Sequence, residues 1–349
     1  DDVFFVISGF IINRKLLEEA EWRARFSFAK FYGRRVRRIV PAATLVTIAT
    51  LIGACLWAAP LRLGAIARDG LTAALFGVNW RFAAQGTDYF QASGPPSPFQ
   101  HYWSLSVEEQ FYLCWPLLLA VVLFTFRRRA HRRAALVLVL AGLVGASLWA
   151  SVHVTNASAP YGYFGTHTRV WELALGALIA ATAGSLQRLP RVLAARLAWL
   201  GLAAIVVSCV VYSPKTLYPG IAAVLPVAGA GLVICAGCGA DIGHGPERLL
   251  RLWPVRWTGR ISYSLYLWHW PLLVLLPDAV GHPLAIGPRL AAIGAAVVLS
   301  ALTYAFVEQP FQQSRVLVAK PRRAFVLATG LISAAAAVTL VVPTLVTVP

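Results

Sequence analysis

The chain reads as an all-α, polytopic transmembrane bundle of about ten spans, on three observations. Of its 349 residues 58% are hydrophobic and only 13% charged, about half the charge usage of an ordinary soluble domain. Apolar runs of span length recur from one end to the other. Cationic residues, which outnumber acidic ones 31 to 14, gather in the segments between those runs.

The expected spans, in order, are Val3–Ile12 (short), Ile39–Ala59, Tyr102–Phe126, Ala134–Val152, Arg169–Ala183, Val192–Tyr212, Leu217–Cys238, Ile261–Leu276, Arg289–Val307 and Phe325–Val346. Leu63–Trp80 is a weaker apolar run, broken by Arg68 and Asp69. Pro41 and Pro116 are tolerated inside such helices, where neighbours satisfy the freed carbonyls. The Gly- and Ala-rich stretches "ELALGALIAATAG" and "GIAAVLPVAGAGLVICAG" suit close backbone approach.

Charge sets the orientation. The segments Arg14–Arg38, Arg127–Arg133, Gly184–Arg196, Asp241–Arg260 and Phe311–Arg323 carry 9, 5, 3, 4 and 4 Lys or Arg residues, which places them together on the cytoplasmic side. Parity then keeps Leu63–Trp80 on the outer face without crossing. The formal charge of +17 follows from the same rule, and nucleic-acid binding is set aside. Cys55, Cys114, Cys209, Cys235 and Cys238 lie in or beside apolar runs and read as small buried thiols. Cys235 and Cys238 lack a second pair for a metal site.

Several polar residues need an account. In "HYWSLSVEEQFYLCWP", His101 and Glu108 fall two turns apart on one face, with Glu109 beside them and Ser104 or Ser106 able to cap the first turn. Either an ion pair at a helix mouth or a site that orients a histidine or binds a hydroxyl fits this pattern. Arg169 and Glu172 form an i,i+3 pair that can be structural or substrate-binding. His269, between Trp268 and Trp270 in "GRISYSLYLWHWP", is an interfacial aromatic-belt member or an acid, base or ligand facing a cavity. Glu308, with the arginines of "GRRVRRIVP" and Arg256 or Arg260, suggests a positively lined cytoplasmic mouth for a diphosphate or carboxylate. The segment Val152–Thr168 has no charged residue and offers Tyr161, Tyr163 and Phe164 as a glycan-facing or lipid-facing surface. GxSxG, P-loop and HExxH motifs are absent. These residues alone leave a membrane transferase and a transporter or scaffold both open.

The motifs "DVFFVISGFII", "KFYGRRVRRIVP", "HYWSLSVEEQFYLCWP", "GRISYSLYLWHWP" and "FVEQPF" together resemble the membrane-bound acyltransferase-3 family, which includes O-antigen acetylases, and they do so in order along nearly the whole chain. The resemblance implies a multi-pass enzyme of the bacterial inner membrane that transfers an acyl group, usually from acetyl-CoA, to a hydroxyl of a surface glycan or lipid-linked sugar. It implies no bound cofactor or metal. Arg34, Arg35, Arg37 and Arg38 match its donor-handling motif. Glu108, Glu109 and His269 match positions expected to be catalytic, and His101, Trp103, Arg169, Glu172 and Trp268 complete the expected substrate-binding set. It also implies a first helix ahead of Asp1 whose histidine, with an arginine before it, is the general base or transient acyl carrier, oriented by a carboxylate such as Glu108, which leaves open whether residues 1–349 are active alone; residues 1–311 are then the acyltransferase core, and 312–349 a basic linker and helix tethering an SGNH-type domain outside.

Overall fold

The computed structural model describes residues 1–23, 27–87, 95–126, 128–239 and 245–344, and among them regular structure is helical throughout. In chain order the helices are α1 (Asp2–Arg23), α2 (Phe28–Trp57), α3 (Pro60–Ala74), α4 (Val78–Ala84), α5 (Tyr102–Thr125), α6 (Arg129–Ala157), α7 (Ala159–Phe164) and α8 (Val170–Leu186). They continue as α9 (Arg191–Val211), α10 (Val224–Gly237), α11 (Glu247–Leu250), α12 (Trp253–Val280), α13 (Ile286–Thr303), α14 (Gln309–Gln313), α15 (Arg315–Ala319) and α16 (Pro321–Val341). A π-helical turn, Tyr304–Glu308, joins α13 to α14.

Six described helical stretches are long and apolar enough to cross a membrane, in place of the ten expected: Phe28–Trp57, Tyr102–Thr125, His131–Ala157, Arg191–Val211, Ile286–Ala319 and Pro321–Val341. The all-α membrane class stands, and the other four segments fall short for separate reasons. Val3–Ile12 is the front of α1, whose rear half is charged. Arg169–Ala183 and Leu217–Cys238 yield helices of 17 and 14 residues, about 26 and 21 Å long against roughly 30 Å of hydrocarbon. Ile261–Leu276 lies inside α12, where His269, Pro271 and Pro277 dilute the apolar density. Leu63–Trp80 forms parts of α3 and α4, two helices of 15 and 7 residues, each too short to cross.

The chain divides into two compact units. The first comprises Asp1–Phe26, Phe82–Gln91 and Val107–Arg256. In it α1 packs along α8, α9 along α10, and α6 against α8. Glycines set the closest approaches: a β-carbon added at Gly9 would strike the Leu173 carbonyl, and one at Gly176 the Val6 carbonyl, so only glycine lets these backbones meet. Gly201 and Gly229 face each other in the same way on α9 and α10. Asn13 ties the layers further, donating through Nδ2 to the Ala177 carbonyl at 2.7 Å and accepting from Trp115 Nε1 at 3.2 Å.

The second unit comprises Ser27–Arg81, Ala92–Ser106 and Trp257–Pro349. Ser27 caps α2, its hydroxyl accepting from the Lys30 amide, and α2 packs along α16 and against α3. Tyr263 on α12 donates to the Ile39 carbonyl of α2 at 2.8 Å, and Tyr102 to the Ala43 carbonyl at 3.2 Å. These bonds join helices through backbone oxygens on α2.

The five cysteines are free, but they are not buried as expected: Cys55, Cys114 and Cys209 are exposed and Cys235 and Cys238 half-buried. Thiols on outward faces of long apolar helices are in keeping with a lipid-facing surface.

Candidate active site

Within the second unit the sequence-distant motifs around His101 and His269 meet. His101 sits in the turn that precedes α5 and is 3% exposed. His269 is half-buried on α12, and the two imidazoles lie 5.7 Å apart edge to face. Tyr266, one turn before His269, donates to the His101 carbonyl and shares a 2.7 Å bond with Ser104 Oγ. Trp270 closes the group, its Nε1 donating to the Ser97 carbonyl at 2.9 Å.

The hydrogen bonds fix both tautomers. A carbonyl oxygen only accepts, so the nitrogen facing it carries the proton. His269 Nδ1 faces the carbonyls of Tyr266 and Leu265 at 2.8 and 3.1 Å, which leaves Nε2 as the basic nitrogen. His101 Nε2 faces the Leu267 carbonyl at 3.2 Å, and its Nδ1 is buried with no hydrogen-bond partner among the described residues. Burial first, and the neighbouring His269 second, hold the His101 imidazole well below the ordinary histidine range. The geometry thus leaves His269 Nε2 and His101 Nδ1 as the ring nitrogens not engaged by a carbonyl, the positions from which an imidazole acts as a general base.

The basic end of the same unit is built on the front of α2. Arg34 and Arg38 are exposed, Arg35 is half-buried and Arg37 is buried. Arg37 Nη1 donates to the Leu317 carbonyl at 2.9 Å, so its guanidinium ties α2 to α15, while Arg34 and Arg38 stand outward. Glu308, in the π-helical turn, accepts from Ser264 on α12 and feels the charge of Arg38. Trp268 donates through Nε1 to Thr303 Oγ1 at 2.9 Å, a link between α12 and α13, and Trp103 is buried.

The remaining candidates belong to the first unit. Glu108 is buried on α5 and accepts from the Tyr112 hydroxyl one turn on, whereas Glu109 is half-buried. His101 sits in the turn directly before α5, and Glu108 lies within the same continuous helix. Ser104 and Ser106 do not cap α5: Ser106 donates back to the Tyr102 carbonyl at 3.0 Å and Ser104 bonds Tyr266.

Arg169 and Glu172 do pair, at 2.9 Å, and both are buried. Arg169 also bonds Asp2 at 2.8 Å and the Tyr163 carbonyl at 3.1 Å, and its guanidinium lies 5.0 and 5.4 Å from the ring centres of Tyr163 and Tyr218. Tyr218 in turn donates to Asp2 at 2.5 Å. This network packs α1 against the start of α8. It also takes the Tyr163 ring inside along with Phe164, so that of the three rings in Val152–Thr168 only Tyr161 is exposed.

Sequence reasoning missed Asp2, Tyr218 and Tyr266. Tyr266 carried a usable signal, three residues before His269 and so on its face of the helix. Asp2 and Tyr218 carried none, because their partner is Arg169, 167 residues from Asp2.

Residues 2–307 match the acyltransferase-3 domain family, described as an acyltransferase domain. YrhL of Bacillus subtilis is 33% identical over 322 residues, covering 89% of this chain and 50% of its own length. The peptidoglycan O-acetyltransferase OatA of Listeria monocytogenes is 29% identical over 328 residues, covering 90% of this chain and 51% of its own. The O-acetyltransferase OatA of Staphylococcus aureus is 27% identical over 321 residues, covering 89% and 52%. The chain thus spans about half the length of these curated relatives. No solved structure matches it. The match over residues 2–307, with the helical architecture it encloses, shows that this chain belongs to the acyltransferase-3 family.

Proposed function

We propose that the chain is the membrane part of an enzyme of the bacterial cytoplasmic membrane that moves an acetyl group from acetyl-CoA, on the cytoplasmic side, to a hydroxyl of peptidoglycan outside. The names of the Bacillus and Listeria relatives support the acceptor and the acetyl group, and that of the Staphylococcus relative the acetyl group. The observation that carries the chemistry is His269, whose Nδ1 is held by two helix carbonyls and whose Nε2 is left as the base.

In this reading the glycan hydroxyl attacks the thioester carbonyl while His269 Nε2 takes its proton. The new C–O bond forms, the C–S bond breaks, and the proton passes on to the CoA thiolate. The thiolate leaves without strong acid help, so most of the rate comes from holding acceptor, base and thioester in line. Along α12 His269 lies nine residues, about 14 Å, beyond Arg260, a depth the extended pantetheine arm reaches from a cytoplasmic CoA. Arg34 and Arg38 hold the diphosphate end, with Arg37 and Arg35 bracing the helix that carries them. Tyr266, bonded to the His101 carbonyl, fixes the two histidines against each other.

The donor assignment is tested on the full-length protein. Replacing Arg34 and Arg38 together by Ala raises the KM for acetyl-CoA by about a hundredfold or more, since each charged hydrogen bond contributes about 1.5–3 kcal/mol, with little change in the acceptor KM. An unchanged donor KM removes the arginines from the site and leaves them as orientation signals.

A further inference from the structure

The end of the second unit away from the arginines contains a cavity of about 850 Å³, within the size range of small-molecule sites. Trp57 at the end of α2, Leu273, Pro277 and Asp278 on α12, His282 in the turn after it and Arg289 in the first turn of α13 contribute to its wall. From Arg38 to Trp57 the chain rises 19 helical residues, about 28 Å, so the cavity opens one hydrocarbon thickness from the basic end. If that end is cytoplasmic, the cavity faces the cell wall.

Its chemistry is mixed. Trp57 is 42% exposed and offers a flat apolar ring. Asp278 is held by Arg62 at 2.8 Å through Oδ2 alone, which leaves Oδ1 as an acceptor. Arg289 is exposed, and its guanidinium has no acceptor among the described residues. An aromatic face beside a fixed carboxylate and an unpaired guanidinium suits a sugar ring, its hydroxyls and a carboxylate substituent.

The cavity shares a helix face with His269. His269, Leu273 and Pro277 recur every four residues and share one face of α12, and the latter two line the cavity. A glycan lying in it would extend along that stripe to the Nε2 of His269, about 12 Å below Pro277.

We infer that this cavity is an acceptor subsite, which binds a carboxylate-bearing sugar of the glycan next to the unit being acetylated, with Trp57 under the ring and Arg289 on the carboxylate. The inference rests on the acetyl-transfer reading above and deepens it.

The test uses full-length protein in nanodiscs with a soluble, carboxylate-bearing peptidoglycan fragment and the same fragment with its carboxylates amidated. Trp57→Ala and Arg289→Ala each raise the acceptor KM about tenfold, while kcat and the hydrolysis of acetyl-CoA without acceptor stay at wild-type values. Amidation raises the wild-type KM by a similar factor and adds nothing to Arg289→Ala. Wild-type KM values in both variants overturn the subsite and leave acetyl transfer standing. An Arg289→Ala defect that persists with the amidated fragment and disappears in nanodiscs lacking anionic lipid assigns the cavity to a lipid phosphate and also overturns it. Absence of any transfer by the wild-type protein sinks the acetyl-transfer reading, and the subsite with it.

Discussion

Replacing His269 by Ala or Gln in the full-length protein lowers O-acetylation of the cell-wall glycan by about a hundredfold or more, the range typical of losing a general base. Gln is the sharper variant. It keeps much of the side chain's size and hydrogen-bonding capacity but cannot take a proton, so its loss matches that of Ala. The hydrogen bonds of His269 run to carbonyls of its own helix, and the ring is half-buried, so neither change removes a hydrogen bond that joins helices, and Gln keeps more of the packing against His101 than Ala does. Mass spectrometry of the released glycans, with membrane protein quantified in parallel, checks this. Wild-type acetylation in both variants would return His269 to the aromatic-belt role that its flanking tryptophans equally suggest.

The second large effect is on stability. Arg169→Ala removes the one cation from a buried group of Arg169, Asp2 and Glu172, which are 1%, 16% and 0% exposed at their side chains. Two carboxylates then remain inside without their counter-ion, and breaking such a pair costs about 3–5 kcal/mol. Stepwise unfolding in mixed detergent should show a loss of that order. Adding Asp2→Asn and Glu172→Gln to Arg169→Ala should recover part of it, because the stranded charges are gone. If the single variant unfolds like wild type, the network is not what holds α1 to α8.

Much of the architecture was legible in the chain because a bilayer imposes a simple rule of length and apolarity. The six stretches that satisfy the rule correspond to six of the expected spans within a few residues, apart from extensions such as the charged front of α2. The segment Leu217–Cys238 misled because its apolar composition runs on through the turn around Pro219, and the helix itself begins only at Val224. Composition does not distinguish an apolar turn from an apolar helix. The same limit made Arg169–Ala183 look like a span of its own, when α8 is a short helix packed against α1 and α6.

The site was legible in part. His269 and His101 stood out as ionisable groups in apolar surroundings, but their proximity and tautomers depend on where α12 and the turn before α5 fall in space. The cavity could not be read at all: Trp57, Asp278 and Arg289 come from the ends of three different helices, and each alone is an ordinary interfacial residue. Arg37 shows the converse, a motif arginine that turns inward to a carbonyl on α15 while its neighbours Arg34 and Arg38 stay outside.

The sided transfer of an acetyl group is the claim on which these roles converge. Full-length protein is reconstituted in sealed vesicles, radiolabelled acetyl-CoA is supplied only on the side carrying the Arg34 and Arg38 end, and a peptidoglycan fragment only on the other. Label should appear covalently on the glycan, and not when donor and acceptor exchange sides. Label that stays with CoA while glycan crosses the bilayer would contradict the account and favour a transporter, and transfer only with donor and acceptor on one side would contradict the geometry.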